Sequence, residues 1–413
     1  MFFLYQLFTN LIILISPLLI IIRILKKKEE KERFLEKFSI FKKDRKKGNL
    51  IWFHCASIGE TMSIIPILSY YEKNKKIKNI LLTTTTISSF NVIKKYNFKK
   101  LTHQFYPLDH TIIVSKFLDH WKPDIAIFLE SEIWPNMYKI LKTKKVDLIL
   151  LNARLTKKTF ARWSMFESFA RQVLSGIKIA YPQNKDTKKY LKKFQVNKIK
   201  LLGNLKYIEN KINFKKHDSK KLNKIIKNNK IWLAASTHPG EEIIAAKTHI
   251  LLKKKINNIV TIIIPRHVER VGEINKQIKK LNLSTFLHSS KNKLLKKIDI
   301  YIVDTFGETK LFYRKTPTVF IGKSITATGG QNPLEAARYG AKILHGPHVG
   351  NFKDIYKLLK SLKISNQVGK IEQIVNNITF KKNSNKSKKI HNFGNAIFKK
   401  TIYELNQKIN DEI

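Results

Sequence analysis

Gly322-Lys-Ser-Ile-Thr-Ala-Thr-Gly-Gly-Gln-Asn-Pro-Leu-Glu335 is the stretch whose reading decides the fold. Before it, Thr318-Val-Phe-Ile321 is a short β-branched and aromatic run that suits a buried strand. After it, Leu334-Glu-Ala-Ala-Arg338 is a good helix-forming run, with Asn332 as the expected N-cap and Pro333 at the first helical position. Strand, glycine-bearing loop and helix N-terminus, in that order, make a site for an anion. The loop backbone can approach closely, and the free N–H groups and dipole of the helix favour negative charge. Glu335, one turn in, is placed to hydrogen-bond a ribose hydroxyl. An ordinary strand–turn–helix connection also fits the stretch taken alone.

Working outward, the same rhythm recurs. Apolar runs at Leu50–Phe53, Ile80–Leu82, Asp124–Leu129, Asp147–Leu151, Lys178–Ala180 and Lys200–Leu202 alternate with helical segments. After a Lys- and Asn-rich stretch they resume at Ile231–Ala235, Val260–Ile264, Asp299–Val303, Thr318–Ile321 and Lys342–Leu344. Such alternation predicts two parallel-sheet α/β domains. The strand-end residues are more informative than the strands themselves. Small, hydroxylated, amide and charged residues recur there, as in His54–Glu60, Glu130–Asn136, Ser236–Glu241 and Asp304–Glu308. In open α/β sheets ligands bind outside these carboxyl ends. Two such domains facing each other would make one cleft, each supplying one substrate, which points to a two-substrate enzyme.

The 413 residues exceed what one hydrophobic core spans, so two domains of ordinary size are expected. The formal charge of +50, from 80 Lys+Arg against 30 Asp+Glu, would suit nucleic acid, an anionic membrane or a phosphorylated substrate. Most of the excess is Lys scattered beside Ile and Asn, so a general compositional drift explains it as well as a binding role does. One cysteine, Cys55, excludes an internal disulfide and fits a reducing compartment. Phe2–Ile22 is almost wholly apolar, with Gln6, Thr9, Asn10, Ser16 and Pro17 as weak spots, and Arg23 and Lys26–Lys28 come at once after it. A stretch of about 20 residues can span a bilayer, and the positive-inside rule then places the rest of the chain in the cytoplasm. A helix lying in the membrane interface is the competing reading. The expected organisation is a membrane anchor over residues 1–22, a basic linker helix over 23–47 and a first Rossmann-like domain over 48–210. Then come a linker over 211–230, a second Rossmann-like domain over 231–385 and a C-terminal helix over 386–413. Lys381–Lys389 reads as a polar loop.

At the strand-end loops the sequence resembles the 3-deoxy-D-manno-octulosonic acid (Kdo) transferases. The matching runs are His54–Glu60, Thr83–Thr86, Tyr106-Pro-Leu-Asp109, Glu130–Asn136, Asn152-Ala-Arg-Leu155 and Gly203–Lys206. In the second half they are Ser236–Glu241, Pro265-Arg-His267, Asp304–Glu308, Gly329–Glu335 and Gly346-Pro347 with Asn351-Phe352. The sequence departs from the family pattern where Lys323 stands for a second glycine, Gln331 for a histidine, Thr309 for a leucine and Ser88-Ser89 for Thr-Gly. The resemblance implies a GT-B glycosyltransferase: two Rossmann-like domains facing a cleft, with an N-terminal membrane-anchor helix. It further implies inverting transfer of Kdo from CMP-Kdo to a lipid A precursor at the cytoplasmic face of the inner membrane, among membrane lipids and with no nucleic acid partner.

Inversion needs one general base for the attacking hydroxyl. Glu60, after Ser57 and Gly59 at the first strand end, is the candidate; its alternative role is to complement the helix dipole. Glu132 would position the attacking sugar or assist Glu60, and Lys206 would meet phosphate or the donor's carboxylate. Glu130, Asn136 and Arg154 join Ser57 and Gly59 on the acceptor side. Arg266, with Pro265, suits the leaving phosphate because of its planar fork. Ser236 and Thr237 offer hydroxyl or backbone contacts to that phosphate. Asp304, Thr305, Gly307 and Glu308 would line the nucleotide pocket, with Gly329, Gly330, Asn332 and Glu335 at phosphate and ribose. A paired-carboxylate glycosidase leaves the nucleotide-type loops unexplained. His54, His238, His267, His345 and His348 lack zinc-type spacing, so no metal and no cofactor are expected.

Overall fold

A computed structural model of the chain describes residues 1–209, 220–292 and 297–412. It comprises two compact units, Met1–Lys211 with Gly394–Ile413, and Ile212–Phe393. The first unit holds six strands, β1 (Leu50–Cys55), β2 (Asn79–Thr84), β3 (Leu101–Phe105), β4 (Ile125–Leu129), β5 (Asp147–Ala153) and β6 (Ile177–Pro182). They form one parallel sheet in the order β3-β2-β1-β4-β5-β6. Every residue of β1, β2 and β4 is buried, which is why these strands read as continuous apolar runs and not as alternating ones. Trp52 packs on Phe117 and Phe128 in the core, and its indole N–H donates to Thr83 Oγ1 at 2.9 Å. The order reverses direction between β1 and β4, so their carboxyl ends flank the switch point where α/β sheets bind ligands.

The second unit holds β7 (Lys230–Thr237), β8 (Ile259–Pro265), β9 (Thr285–Leu287), β10 (Ile300–Ile302), β11 (Thr318–Ile321), β12 (Lys342–His345) and β13 (Ser365–Gln367). The order is β13-β12-β11-β7-β8-β10-β9, again parallel, with the switch between β7 and β11. The long helix Ser384–Glu412 starts within the second unit's span and ends in the first's. There Ile397, Leu405 and Ile409 are buried. Gly394 lies so close under Tyr207 that a Cβ would stand 2.2 Å from its carbonyl oxygen.

Several expectations are corrected. Residues 23–47 are not a linker helix: 23–25 are the last residues of the N-terminal helix, and beyond them only Phe34–Phe38 forms a short 3-10 turn. The segment is pinned by its own charges. Glu29 meets Lys37 at 2.7 Å and Arg23 at 3.1 Å, and the Glu36 carboxylate accepts the Phe105 N–H at 2.8 Å. Covering edge strand β3 in this way requires an irregular path. β3 and β13 carry too many polar residues to stand out as apolar runs, and β9 is only three residues long. Lys200–Leu202 makes no strand; a single bridge, Ala180 to Ile199, precedes it. Within the expected linker, Lys220–Asn228 is helical, and residues 210–219 lie outside the described residues. The helix expected from 386 begins at Ser384, inside the expected loop, with Asn383 Oδ1 accepting the Lys386 N–H at 3.1 Å. Pro333, not Asn332, occupies the N-cap, although Asn332 Oδ1 still accepts the Leu334 N–H at 3.0 Å.

The N-terminal helix Phe2–Leu25, of mean hydropathy 2.3, is long and apolar enough to cross a membrane. Polar groups of its first three turns bond to the rest of the first unit. Tyr5 donates to Asp109 Oδ2 at 2.7 Å, Gln6 donates to Thr111 Oγ1 at 3.4 Å, and Asn10 Oδ1 pairs with His110 Nε2 at 2.9 Å. Leu7, Leu11, Leu14 and Leu18 on the remaining surface are exposed.

Candidate functional site

In the first unit, the turn after β1 enters helix Ile58–Lys73. Ser57 is its N-cap, accepting the Glu60 N–H at 3.3 Å while its hydroxyl donates to Glu60 Oε1 at 2.8 Å. The Ala56 N–H donates to Glu60 Oε2 at 2.8 Å. The Glu60 carboxyl is therefore held in one orientation beside Gly59, and the residue is 8% exposed. Burial pushes its pKa up to about 7, reinforced by the Glu132 and Glu130 carboxylates and opposed by the Ala56 and Ser57 donors. Such a carboxyl exchanges its proton near neutrality, as a general base must.

Glu132, in the loop after β4, lies across the switch point. Its Oε2 takes His54 Nε2 at 3.2 Å and the Trp134 indole N–H at 3.0 Å. His54 is fully buried on β1, stacked under Tyr106 with ring centroids 3.8 Å apart. Its Nδ1 contacts Thr83 Oγ1 at 2.9 Å. Glu130 directly follows β4 in a left-handed conformation, φ 50°. Its Oε1 meets Lys206 Nζ at 2.8 Å, with Asn152 Nδ2 at 3.4 Å and Arg154 at 4.0 Å from the carboxylate. Asn152 Oδ1 accepts the Leu205 N–H at 3.0 Å, which seats Lys206 against Glu130. Asn136 is placed differently. It is 1% exposed, and its amide donates to the Asp109 carbonyl at 2.6 Å beside the N-terminal helix.

In the second unit the residue that organises the loops is Glu241, to which sequence reasoning assigned no role beyond its place in the Ser236–Glu241 run. It is fully buried. Its carboxylate accepts four backbone N–H groups, from His238 at 2.9 Å, Lys323 at 2.7 Å, Ser324 at 2.9 Å and Ile325 at 3.0 Å. The first part of the Gly322–Glu335 loop thus has its N–H groups filled by the protein's own carboxylate, not held open for an anion. Only Gly fits at 322, where a Cβ would lie 2.4 Å from the Ser236 carbonyl oxygen. Lys323 adopts φ 57°, the left-handed region that glycine enters freely, which accounts for a glycine at this place in the family pattern.

Ser236 also has positive φ, 55°, and the Thr237 hydroxyl is buried without a partner among the described residues. Arg266 is exposed after Pro265 ends β8, its N–H bonded to the Thr237 carbonyl at 3.0 Å. That bond brings the β7 and β8 ends together. Asp304 accepts the Ser289 N–H at 2.8 Å, and Thr305 donates to Glu308, which meets His288 Nε2 at 3.0 Å. Gly307, Gly329 and Gly330 take φ of 90°, 107° and 72°. Glu335 pairs with Lys310 at 3.2 Å, and Asn332 Oδ1 is taken up by the Leu334 N–H. His54 and Glu241 were the residues missed. Their only signal is position, one on the first strand and one opening a helix after a strand.

The profile of the family described as 3-deoxy-D-manno-octulosonic-acid transferase (kdotransferase) matches residues 32–209. A 3-deoxy-D-manno-octulosonic acid transferase of Rickettsia bellii is 33% identical over 409 residues, covering 99% of this chain and 97% of that protein. One from Haemophilus influenzae is 28% identical over 368 residues, covering 85% and 84%. Among solved structures, UDP-GlcNAc 2-epimerase from Neisseria meningitidis superposes with a TM-score of 0.56 at 15% identity, covering 87% of this chain and all of that one. The last is a likeness of fold alone. Two parallel-sheet α/β units and an apolar N-terminal helix give the GT-B class, and the long, near-complete match to the first relative shows that the chain belongs to the Kdo transferase family.

Proposed function

We propose that the protein transfers Kdo from CMP-Kdo to a lipid A precursor, lipid IVA, with inversion at the anomeric carbon. The observation that carries this reading is the buried, oriented Glu60 carboxyl with its pKa near 7, within a family of Kdo transferases. Glu60 takes the proton of the attacking hydroxyl. The oxygen forms its bond to the anomeric carbon as the bond to the CMP phosphate breaks, and the electron pair leaves with that phosphate. Arg266 and the hydroxyl and backbone groups of Ser236 and Thr237 meet the phosphate. The loops Asp304–Glu308 and Gly329–Glu335 hold the nucleoside. Lys206 and Arg154, beside Glu130, present positive charge to the acceptor's phosphates. The exposed apolar surface of Phe2–Leu25, with Arg23 and Lys26–Lys28 at its end, holds the enzyme at the cytoplasmic face of the inner membrane. There the acyl chains of the acceptor stay in the bilayer.

The test is product analysis with CMP-Kdo and lipid IVA, comparing the wild type with Glu60→Ala. Transfer by the wild type and its loss in a folded variant are expected. Full transfer by the variant would remove Glu60 as the base, and transfer from a UDP-sugar in place of CMP-Kdo would overturn the donor.

A further inference from the structure

We propose that the helix Phe2–Leu25 lies flat in the membrane surface and does not cross it, its outer face being an interaction surface for an anionic lipid bilayer. This deepens the function proposed above and rests on its membrane attachment, not on its donor or acceptor.

By length alone the helix could span, since its 24 residues rise about 36 Å against a hydrocarbon core of about 30 Å. The contacts at its two ends are those of a helix lying down. Near the start, Tyr5 donates to Asp109 Oδ2 at 2.7 Å, and the rings of Phe2 and Tyr5 pack on Phe169 with centroids 5.7 and 6.0 Å away. At and beyond the other end, Arg23 and Lys37 close on the buried Glu29 at 3.1 and 2.7 Å, and the Lys37 carbonyl accepts the Leu108 N–H at 2.9 Å. Leu108 and Asp109 are consecutive. The chain on either side of the helix is thus fastened to adjacent residues of one unit, whereas a spanning helix would hold those points apart by the whole hydrocarbon core.

The length of the helix agrees with its ends. Tyr5, Thr9, Ile13, Ser16, Ile20 and Ile24 are buried or half-buried at steps of three or four residues, so one face is covered along the whole helix. Leu4, Leu7, Leu11, Leu14, Leu18 and Leu25 are each at least 55% exposed on the remaining surface. A continuous exposed apolar strip marks an interaction surface. Its occupant follows from charge. The helix carries no acidic residue, and exposed Arg23, Lys26, Lys27 and Lys28 close the strip, which suits negative headgroups. A second copy of the chain offers no carboxylate on this helix to meet those cations. Ile112 is 60% exposed beside Thr111, the partner of Gln6, and Phe166 is 50% exposed three residues before Phe169, so the apolar surface continues onto the unit that holds the helix. A helix so placed enters the boundary between headgroups and acyl chains by about 5–10 Å.

The test uses the full-length chain with Cys55→Ala and one nitroxide-labelled cysteine at a time, Leu4→Cys, Leu11→Cys, Leu18→Cys or Leu25→Cys. The protein is bound to vesicles of phosphatidylethanolamine and phosphatidylglycerol, and the accessibility of each label to oxygen and to a nickel chelate reads its depth. All four labels should lie at one shallow depth, about 5–10 Å, with circular dichroism verifying each fold. Labels at 11 and 18 near the bilayer centre, with those at 4 and 25 at opposite faces, would overturn the proposal. So would a chain that stays off the vesicles and pairs with a second copy through these positions, seen as spin–spin broadening. Replacing Lys26, Lys27 and Lys28 together by Gln should weaken binding to these vesicles at least about tenfold and leave binding to phosphatidylcholine vesicles unchanged. Equal binding losses on both, or none on either, would overturn the assignment of an anionic surface. Neither donor nor acceptor enters these measurements, so their failure leaves the transfer assay standing.

Discussion

Replacing Glu60 by Gln should abolish transfer and at the same time stabilise the fold above neutral pH. A carboxyl with its pKa at about 7 in the folded chain, against its ordinary 4.5, binds a proton more tightly folded than unfolded. Its contribution to stability is complete below about pH 4.5 and is lost as the pH rises to about 7. At 1.36 kcal/mol per pH unit, that interval corresponds to about 3 kcal/mol. The amide introduced by Glu60→Gln would keep both local contacts: its carbonyl replaces Oε2 toward the Ala56 N–H, and its NH2 donates to Ser57 Oγ. It needs no charge in the buried site. Urea unfolding of the wild type and of Glu60→Gln, at pH 5 and pH 8, measures the effect. The wild type should lose about 3 kcal/mol more than the variant between these pH values, equivalent to a difference in Tm on the order of 10 °C. Transfer by the variant should fall by at least about 100-fold. Parallel pH dependences in the two proteins would refute the burial argument, whatever the activity.

Lys323→Gly should raise stability by up to about 1 kcal/mol, because it relieves a left-handed side-chain residue at φ 57°; thermal unfolding is the measurement. Lys206→Met leaves the Glu130 carboxylate, 7% exposed, without its 2.8 Å partner and should destabilise by about 3 kcal/mol. The double variant Lys206→Met, Glu130→Gln should recover most of that in urea unfolding. Arg33→Ala removes bonds at 2.6 and 2.9 Å to Glu36 and at 3.0 Å to the His103 carbonyl. It should lower stability by about 2 kcal/mol, with amide hydrogen exchange rising first in β3.

Much of the fold was legible because parallel strands buried on both faces write themselves as Val-, Ile- and Leu-rich runs, and because the residues after them cluster at the carboxyl ends. Glu60 and Ser57 could be paired from spacing alone, as a cap and the residue three positions on. Glu241 shows the limit. Its four N–H donors come from two loops more than eighty residues apart, and no local pattern reports such a partner. The segment 23–47 was misread for a similar reason. Its charges look like a solvated helix, but Glu36 is committed to an edge strand through Phe105, and that tertiary bond overrides helix propensity. Lys323 departs from the family's glycine, yet its backbone still takes the glycine-like shape, since Glu241 holds the Lys323 and Ser324 N–H groups in place.

The return of the final helix to the first unit bears on the order in which the protein can be built. During synthesis the residues up to Lys211 leave the ribosome first, yet the surface that receives Ile397, Leu405 and Ile409 stays uncovered until Gly394 and the residues after it have emerged. The second unit, contiguous from Ile212 to Phe393, has all its residues available earlier. The half of the protein that is translated first is thus completed last, and a stop codon shortly after residue 393 would strip from the N-terminal domain the part of the final helix that carries Ile397, Leu405 and Ile409, while leaving the residues of the C-terminal one in place.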